Sequence, residues 1–434
     1  MRKLLAVALL GLLLAPRVAR ASTFDTYGFG SRGIAMGGAQ VADAQDFTAT
    51  FYNPALLVDR QKINVGFGFF YEKPNLSVTP DDPTSQLKVS NPPDFASYSI
   101  GLVYPFAGKV QNKVALGVGI QLPVHNLIRV QGVEPTSASW YLYESSPDRV
   151  QIFAGLAVKP VEWFSFGVGA QFLSDFGGDI EFNIDLFNKR FARRDLTAEL
   201  VTKASPVAGL ALRPLPNLTF GFSYRSSLQL NLDLPTNIVL GDLGTLFLDV
   251  RAVTFYTPHE FTLGVRFDPT DELTLTGDLE YARWSAAPNP AVQVKVRLNG
   301  DLVRGLGLDQ ALALDSQDAP PGFEDILIPR VGVEWRPSVR FSARAGYFLR
   351  PTPVPLQNGL SNILDGTTHA ISGGIGVKFD DPLEILAEPV QVDVVAQHGI
   401  VTSRVAQKLP VSGQPTYSYG GSTELFAIDV RYNF

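Results

Sequence analysis

Four histidines, His125, His259, His369 and His398, are the side chains best suited to act as a base near neutral pH. None stands at a spacing from serine and aspartate that would make a nucleophilic triad. Asp365 and His369 lie near a loop-strand junction, but chance alone supplies one such pair among four histidines. The chain contains no cysteine, which removes thiol chemistry, disulfides and Cys-metal sites. It has no His-x₃-His pair and no Asp-x-Asp-x-Asp loop either. The expectation is a protein that is not an enzyme and uses no metal or cofactor. What remains is recognition chemistry, carried by apolar surface.

The apolar surface is concentrated in two long connectors. Residues 178–187 carry Phe182, Leu186 and Phe187, and residues 234–248 carry Ile238, Leu240, Leu243 and Phe247. Clusters of this kind in a connector form either a hydrophobic binding site or a lid packed on itself. Should a ligand carry a carboxylate head group, Arg193, Arg194, Lys203, Arg225 and Arg266 are candidate partners by position near strand ends or on the inward parity, although such side chains are more often solvated rim charges and an uncharged ligand needs none of them.

The elements that position these residues read as about fourteen strands in which short connectors alternate with long ones. The segments are 62–72, 94–106, 113–122, 148–159, 163–175, 195–213, 218–232, 250–267, 272–298, 327–336, 340–349, 368–379, 388–402 and 422–434. Tight links such as Pro214-Leu215-Pro216-Asn217 and Asp268-Pro269-Thr270-Asp271 are reversals. Within strands the apolar period is two. Val114, Leu116, Val118 and Ile120 point one way, whereas Ala115, Gly117, Gly119 and Gln121 point the other. An outward face of Val, Leu and Ile meets lipid, and the polar face lines a lumen. This is a transmembrane antiparallel β-barrel; a soluble β-sandwich also alternates, but does not link so many strands by strictly alternating connectors. A mean hydropathy of +0.09 suits strands that are half wet. Trp163, Trp335 and Trp284 suit interfacial girdles, and Trp140 falls in a long loop.

Residues 1–21 read as an export signal, with Arg2 and Lys3, an apolar Leu4 to Leu14 and a small-x-small site at Ala19-Arg20-Ala21. Residues 22–61 are rich in glycine and aromatics and are too apolar for a solvated tail, so they fold into the lumen. Residues 62–434 form the barrel with long extracellular loops. An even strand count and a long first connector put both termini on the periplasmic side of a Gram-negative outer membrane. The last strand ends at Phe434, resembling the signal read by the outer-membrane barrel assembly machinery. A net charge of −6 offers no basic stripe for nucleic acid.

Three stretches resemble the FadL-type outer-membrane transporters of long-chain fatty acids and other hydrophobic compounds. They are Gly28 to Ala55 with its Asn-Pro-Ala motif, Pro258 to Trp284, and Gly346 to Phe379. The resemblance implies a fourteen-stranded barrel plugged by an N-terminal hatch, with Asn53, Pro54 and Ala55 holding that hatch to the wall. It implies passive, gated passage with capture on the third and fourth extracellular loops and lateral exit at an inward kink in the third strand. Here Gly117, Gly119 and Pro123 suit such a kink, although Pro123 equally suits a plain strand end. The resemblance also puts Phe24 at an internal ligand site. Partners would be a hydrophobic fatty acid or hydrocarbon, outer-membrane lipid and the assembly machinery, and the chain would be a monomer. A general diffusion porin or an adhesin of the same barrel class is the alternative.

Overall fold

Alternating side chains along each strand give a sheet one apolar and one polar face, and closing that sheet leaves no unpaired edge in the lipid. The computed structural model describes residues 26–124, 134, 136–144, 149–185, 190–239, 245–301, 304, 314–315, 319–381 and 386–434. The barrel strands are β1 (Asn64–Pro80), β2 (Phe95–Pro105), β3 (Val114–Pro123), β4 (Gln151–Val161), β5 (Phe164–Asp185), β6 (Arg190–Leu215) and β7 (Leu218–Arg225). The circuit continues with β8 (His259–Thr270), β9 (Leu273–Arg283), β10 (Ile326–Ser338), β11 (Phe341–Arg350), β12 (Thr368–Phe379), β13 (Val390–Ala406) and β14 (Tyr417–Asn433). Each pairs antiparallel with its neighbours, and β14 closes on β1 from Asn64↔Asn433 to Pro80↔Tyr417. The barrel therefore has fourteen strands, as the connector pattern predicts.

The pleat faces as expected. In β3 the even-numbered Leu116 is exposed and Val118 and Ile120 are partly so, while Ala115, Gly117, Gly119 and Gln121 are buried. In β9, Thr274, Thr276, Asp278 and Glu280 are buried, whereas Leu275 and Leu279 face out. Trp163 and Trp335 are more than half exposed beside short turns.

Three expectations need correction. The segments 218–232, 250–267 and 272–298 are not single strands: β7 ends at Arg225 and β8 begins at His259, with the hairpin Leu228–Val239 and Thr245–Thr257 between them. β9 ends at Arg283, and Gln293–Asn299 pairs instead with Thr245–Thr257, off the barrel circuit. The third long connector is largely strand, because β5 and β6 remain paired out to Asp185↔Arg190. Their 22 and 26 residues exceed the roughly 9–11 that span a bilayer, so this hairpin projects beyond it. Trp284 is buried rather than interfacial, packed edge-on against Tyr256 with ring centroids 5.8 Å apart. Period-two patterning cannot separate a membrane strand from its projecting continuation, since both pleat alike.

Residues 26–59 lie inside the barrel. They form two short helices, α1 (Ser31–Ala35) and α2 (Ala49–Tyr52), and a 3₁₀ turn at Pro54–Asp59. Almost every side chain there is buried, and their contacts run from β1 and β2 round to β12 and β14.

Candidate functional site

The Asn53-Pro54-Ala55 turn is seated against β5 and β6. Asn53 is fully buried, and its Oδ1 accepts the Ala55 N–H at 3.0 Å, capping the 3₁₀ turn in which proline needs no donor. Its Nδ2 donates to Val41 O at 2.7 Å and across to Leu210 O of β6 at 3.0 Å. The Ser165 hydroxyl of β5 donates to Ala55 O at 2.9 Å, and Arg213 of β6 pairs with Asp59 at 2.5 Å. Two glycines make the approach possible. A Cβ at Gly209 would lie 1.9 Å from Asn53 Oδ1, and one at Gly167 would lie 2.4 Å from the Pro54 carbonyl carbon.

The same device recurs around the lumen. A Cβ at Gly346 would sit 2.0 Å from Gly37 N, and Gly37 itself holds a positive φ of 64° that only glycine adopts without strain. At β3, a Cβ on Gly117 would meet Leu57 Cδ2 at 2.5 Å, and one on Gly119 would meet Phe47 at 3.2 Å. The β3 ladder is unbroken: it pairs with β2 from Ser97↔Pro123 to Pro105↔Ala115 and with β4 from Val114↔Val158 to Gln121↔Gln151, without a bulge. Pro123 is buried, two residues past the last β4 pairing.

Charge ties the N-terminal segment to the wall. Arg32 pairs with Asp43 at 2.6 Å and with Glu334 of β10 at 2.9 Å. Glu334 also takes Arg344 of β11 at 2.5 Å, and Arg344 reaches Asp393 of β13 at 2.6 Å. Arg431 of β14 closes the series by pairing with Asp393 and, at 2.5 Å, with Asp46. Burial raises the Asp46 carboxyl, but Arg431 and two hydrogen bonds from Thr48 outweigh it and hold the group below the usual carboxylate range. Sequence reading missed Arg32, Glu334, Arg344, Asp393 and Arg431. Their signal was a charge at an inward strand parity, where a solvated lumen would also place one.

Two apolar clusters flank this segment. One joins Phe29, Phe47, Phe51 and Leu57 to Val103, Ala115 and Phe153 of the β2–β4 wall, with Phe29 and Phe153 ring centroids 5.5 Å apart. The other lies at the long-loop end and contains Tyr27, Ile34, Trp140, Tyr143, Tyr256, Trp284, Phe323 and Tyr417. A buried polar island sits within it, where Arg350 pairs with Asp365 at 3.0 Å and donates to Tyr143 Oη at 2.8 Å. Between the N-terminal segment and the β1–β3 wall, near Phe29, Phe70 and Gln121, the free volume is about 10 Å³. That is barely a water's worth of space.

Among the predicted ligand contacts, Phe182 and Ile238 meet in register, where Thr236–Val239 pairs in parallel with Ile180–Asn183 of β5. Phe247 is exposed on the partner strand, opposite Asn237 and Arg297. The structure thus joins the third and fourth connectors into one sheet. Phe24, Leu186, Phe187, Leu240 and Leu243 lie outside the described residues. The candidate head-group cations are engaged elsewhere: Arg225 pairs with Glu260 at 3.2 Å and covers the Phe51 ring at 3.8 Å, and Arg266 pairs with Asp43 at 3.0 Å. Lys203 is exposed, and nothing is described for the side chains of Arg193 and Arg194. Asp365 and His369 have separate partners, His369 meeting Tyr347 Oη at 2.8 Å.

Several known proteins resemble this chain. The barrel matches a Pseudomonas aeruginosa FadL homologue with a TM-score of 0.61 at 16% identity, covering 96% of this chain and 100% of that one. It matches the P. putida toluene transporter TodX at 0.59 and 14%, covering 94% and 99%. A curated relative, alkane uptake protein A of Marinobacter nauticus, is 24% identical over 218 residues, 49% of this chain; the chain spans less than half, 45%, of that relative. The model of the family described as outer membrane protein transport protein (OMPP1/FadL/TodX) matches residues 13–434. The chain belongs to that family of outer-membrane transporters for hydrophobic compounds, a family of channels rather than enzymes.

Proposed function

We propose that this barrel carries hydrophobic small molecules, long-chain fatty acids or hydrocarbons, passively across the outer membrane, with residues 26–59 acting as its hatch. The observation that carries the reading is a lumen filled by this segment, with an aromatic cluster on its loop side and a second one between it and the β2–β4 wall. A general porin needs the opposite, an open and solvated bore. An adhesin has no use for a plugged one. The names of the relatives, which mention alkane uptake and a toluene transporter, favour the hydrocarbon branch.

In this scheme the joined sheet of β5, β6 and the 228–257 hairpin captures the substrate through Phe182, Ile238 and Phe247. Substrate then passes the loop-end cluster and leaves sideways at β3. With the β3 ladder paired and little free volume beside it, exit follows an opening of the wall or a shift of the hatch. Both termini are periplasmic, and the exposed Phe434, whose N–H is held by Ile63 O at 2.8 Å, is offered to the assembly machinery.

The test is uptake of labelled oleate and, in parallel, of toluene by a transporter-deficient strain expressing the chain or its Pro54→Ala variant. Expected is uptake that the variant impairs while its barrel still assembles. Unchanged uptake in a correctly inserted variant removes the gating role of the turn. Uptake of neither compound, with free passage of small sugars through reconstituted protein, replaces the reading by a porin.

A further inference from the structure

A basic concavity lies at the opposite end from the aromatic cluster. A cavity of about 510 Å³ opens among the tight turns after β8 and β10 and the ends of β1 and β14. Seven arginine or lysine side chains line it, against three carboxylates. Most of the cations are spoken for. Glu334 is shared by Arg32, Arg336 and Arg344 at 2.9, 2.7 and 2.5 Å, Arg431 is held by Asp46 and Asp393, and Arg340 by Asp380 at 2.7 Å. Among the described residues the side chains of Arg60 and Lys378 have no such partner, and the two are close enough to repel each other and Arg431. Asp271 and Glu272 stay at the exposed rim.

We propose that this vestibule is an oxyanion site, which takes the carboxylate or phosphate of a small amphiphile on Arg60 and Lys378. A concave surface with surplus cations concentrates field and favours an anion over water. Burial, together with Arg431 and Arg32, pushes the Arg60 guanidinium down to about 10 against the opposing pull of Asp46 and Asp59, a cost that a bound anion relieves further. The guanidinium fork matches two oxygens of a carboxylate or phosphate, and the Lys378 ammonium adds a point charge. Pro337, Val339 and Phe341 give one wall an apolar lining fit for a short tail. The volume lies within the range of small-molecule sites. Because Arg32 belongs to the proposed hatch and Arg60 directly follows it, occupancy touches the hatch directly. The site is independent of which hydrophobic compound the barrel carries.

The experiment is calorimetric titration of the full chain, in zwitterionic detergent at low ionic strength, with hexanoate, acetate and inorganic phosphate separately. The expected result is saturable binding of at least one of these, weakened about tenfold or more in Arg60→Gln/Lys378→Gln. Lys378→Gln alone weakens it in the same direction should the double variant misfold, and Arg60→Lys/Lys378→Arg retains it. A Lys408→Gln variant at the loop end binds as the parent does. Hexanoate above acetate marks an amphiphilic carboxylate, equal affinity a small free carboxylate, and phosphate alone a phosphate group. No saturable binding of any probe, or equal affinity in parent and double variant, overturns the proposal.

Discussion

At the scale of single residues, Asn53 and Gly209 form one device, because the asparagine oxygen occupies the space where any other residue's Cβ would be. Removing the Asn53 side chain leaves Val41 O and Leu210 O without that donor, a loss of about 1–3 kcal/mol for buried groups. Gly209→Ala is expected to lift the turn from β6 and raise hydrogen exchange across residues 40–59. Combining it with Asn53→Ala should give less additional exchange than the sum of the two single variants, since the clash then disappears. Additive effects in that cycle would show that the pair does not act as a unit. The turn itself was legible in the sequence, because asparagine before proline has a local meaning. Its glycine partner was not, since 156 positions separate it from Asn53 and only the folded wall makes them neighbours.

At the scale of elements, residues 26–59, the proposed hatch, form a short-helix segment that could not hold its shape alone; its helices run five and four residues. Tertiary ion pairs do the holding, and this sets a pH dependence. The Asp46 carboxyl titrates below its ordinary value in the folded state, so its contribution is fully present above about pH 3.9 and is lost as pH falls through the lowered value. Hydrogen exchange across residues 40–59 is therefore expected to rise in acid below that point. Asp46→Asn should weaken the packing of residues 26–59 already at pH 7, by about 1–3 kcal/mol because Arg431 keeps Asp393 as a partner, and should lose most of its own acid step. An identical acid profile in the variant would assign the step to other carboxylates, such as Asp393 and Glu334. The apolar content of residues 22–61 indicated burial from sequence, while the strand partners of Arg32 and Asp46 depended on closure.

At the scale of the whole molecule, the proposed capture surface and the proposed exit sit on separate parts of one sheet. The hairpin Leu228–Val239 and Thr245–Thr257 leaves the barrel circuit and joins β5, so it is removable in principle. Replacing residues 228–257 with a short Gly-Ser turn is expected to leave a heat-modifiable, inserted barrel and to cut uptake of the hydrophobic substrate severalfold at low concentration. Loss of barrel insertion instead would make the hairpin structural. Family membership rests on the full-length match; the proposed substrates and route rest on the geometry of residues 26–59 and of the loop sheet.

By itself the sequence determined the barrel. A period of two, turn residues at every second connector and inward polar partners such as Thr274 and Asp278 are local properties, and each strand declares its own pleat. Only the tertiary structure decided which inward charges are solvated and which, like Arg32 and Arg431, are locked to the hatch. It alone decided that residues 180–183 and 236–239 share a sheet, and that Trp284 turns inward. The physical reason is the same in each case: pairing partners are chosen by closure of the ring and by what fills it, and neither is written within one strand's length of sequence.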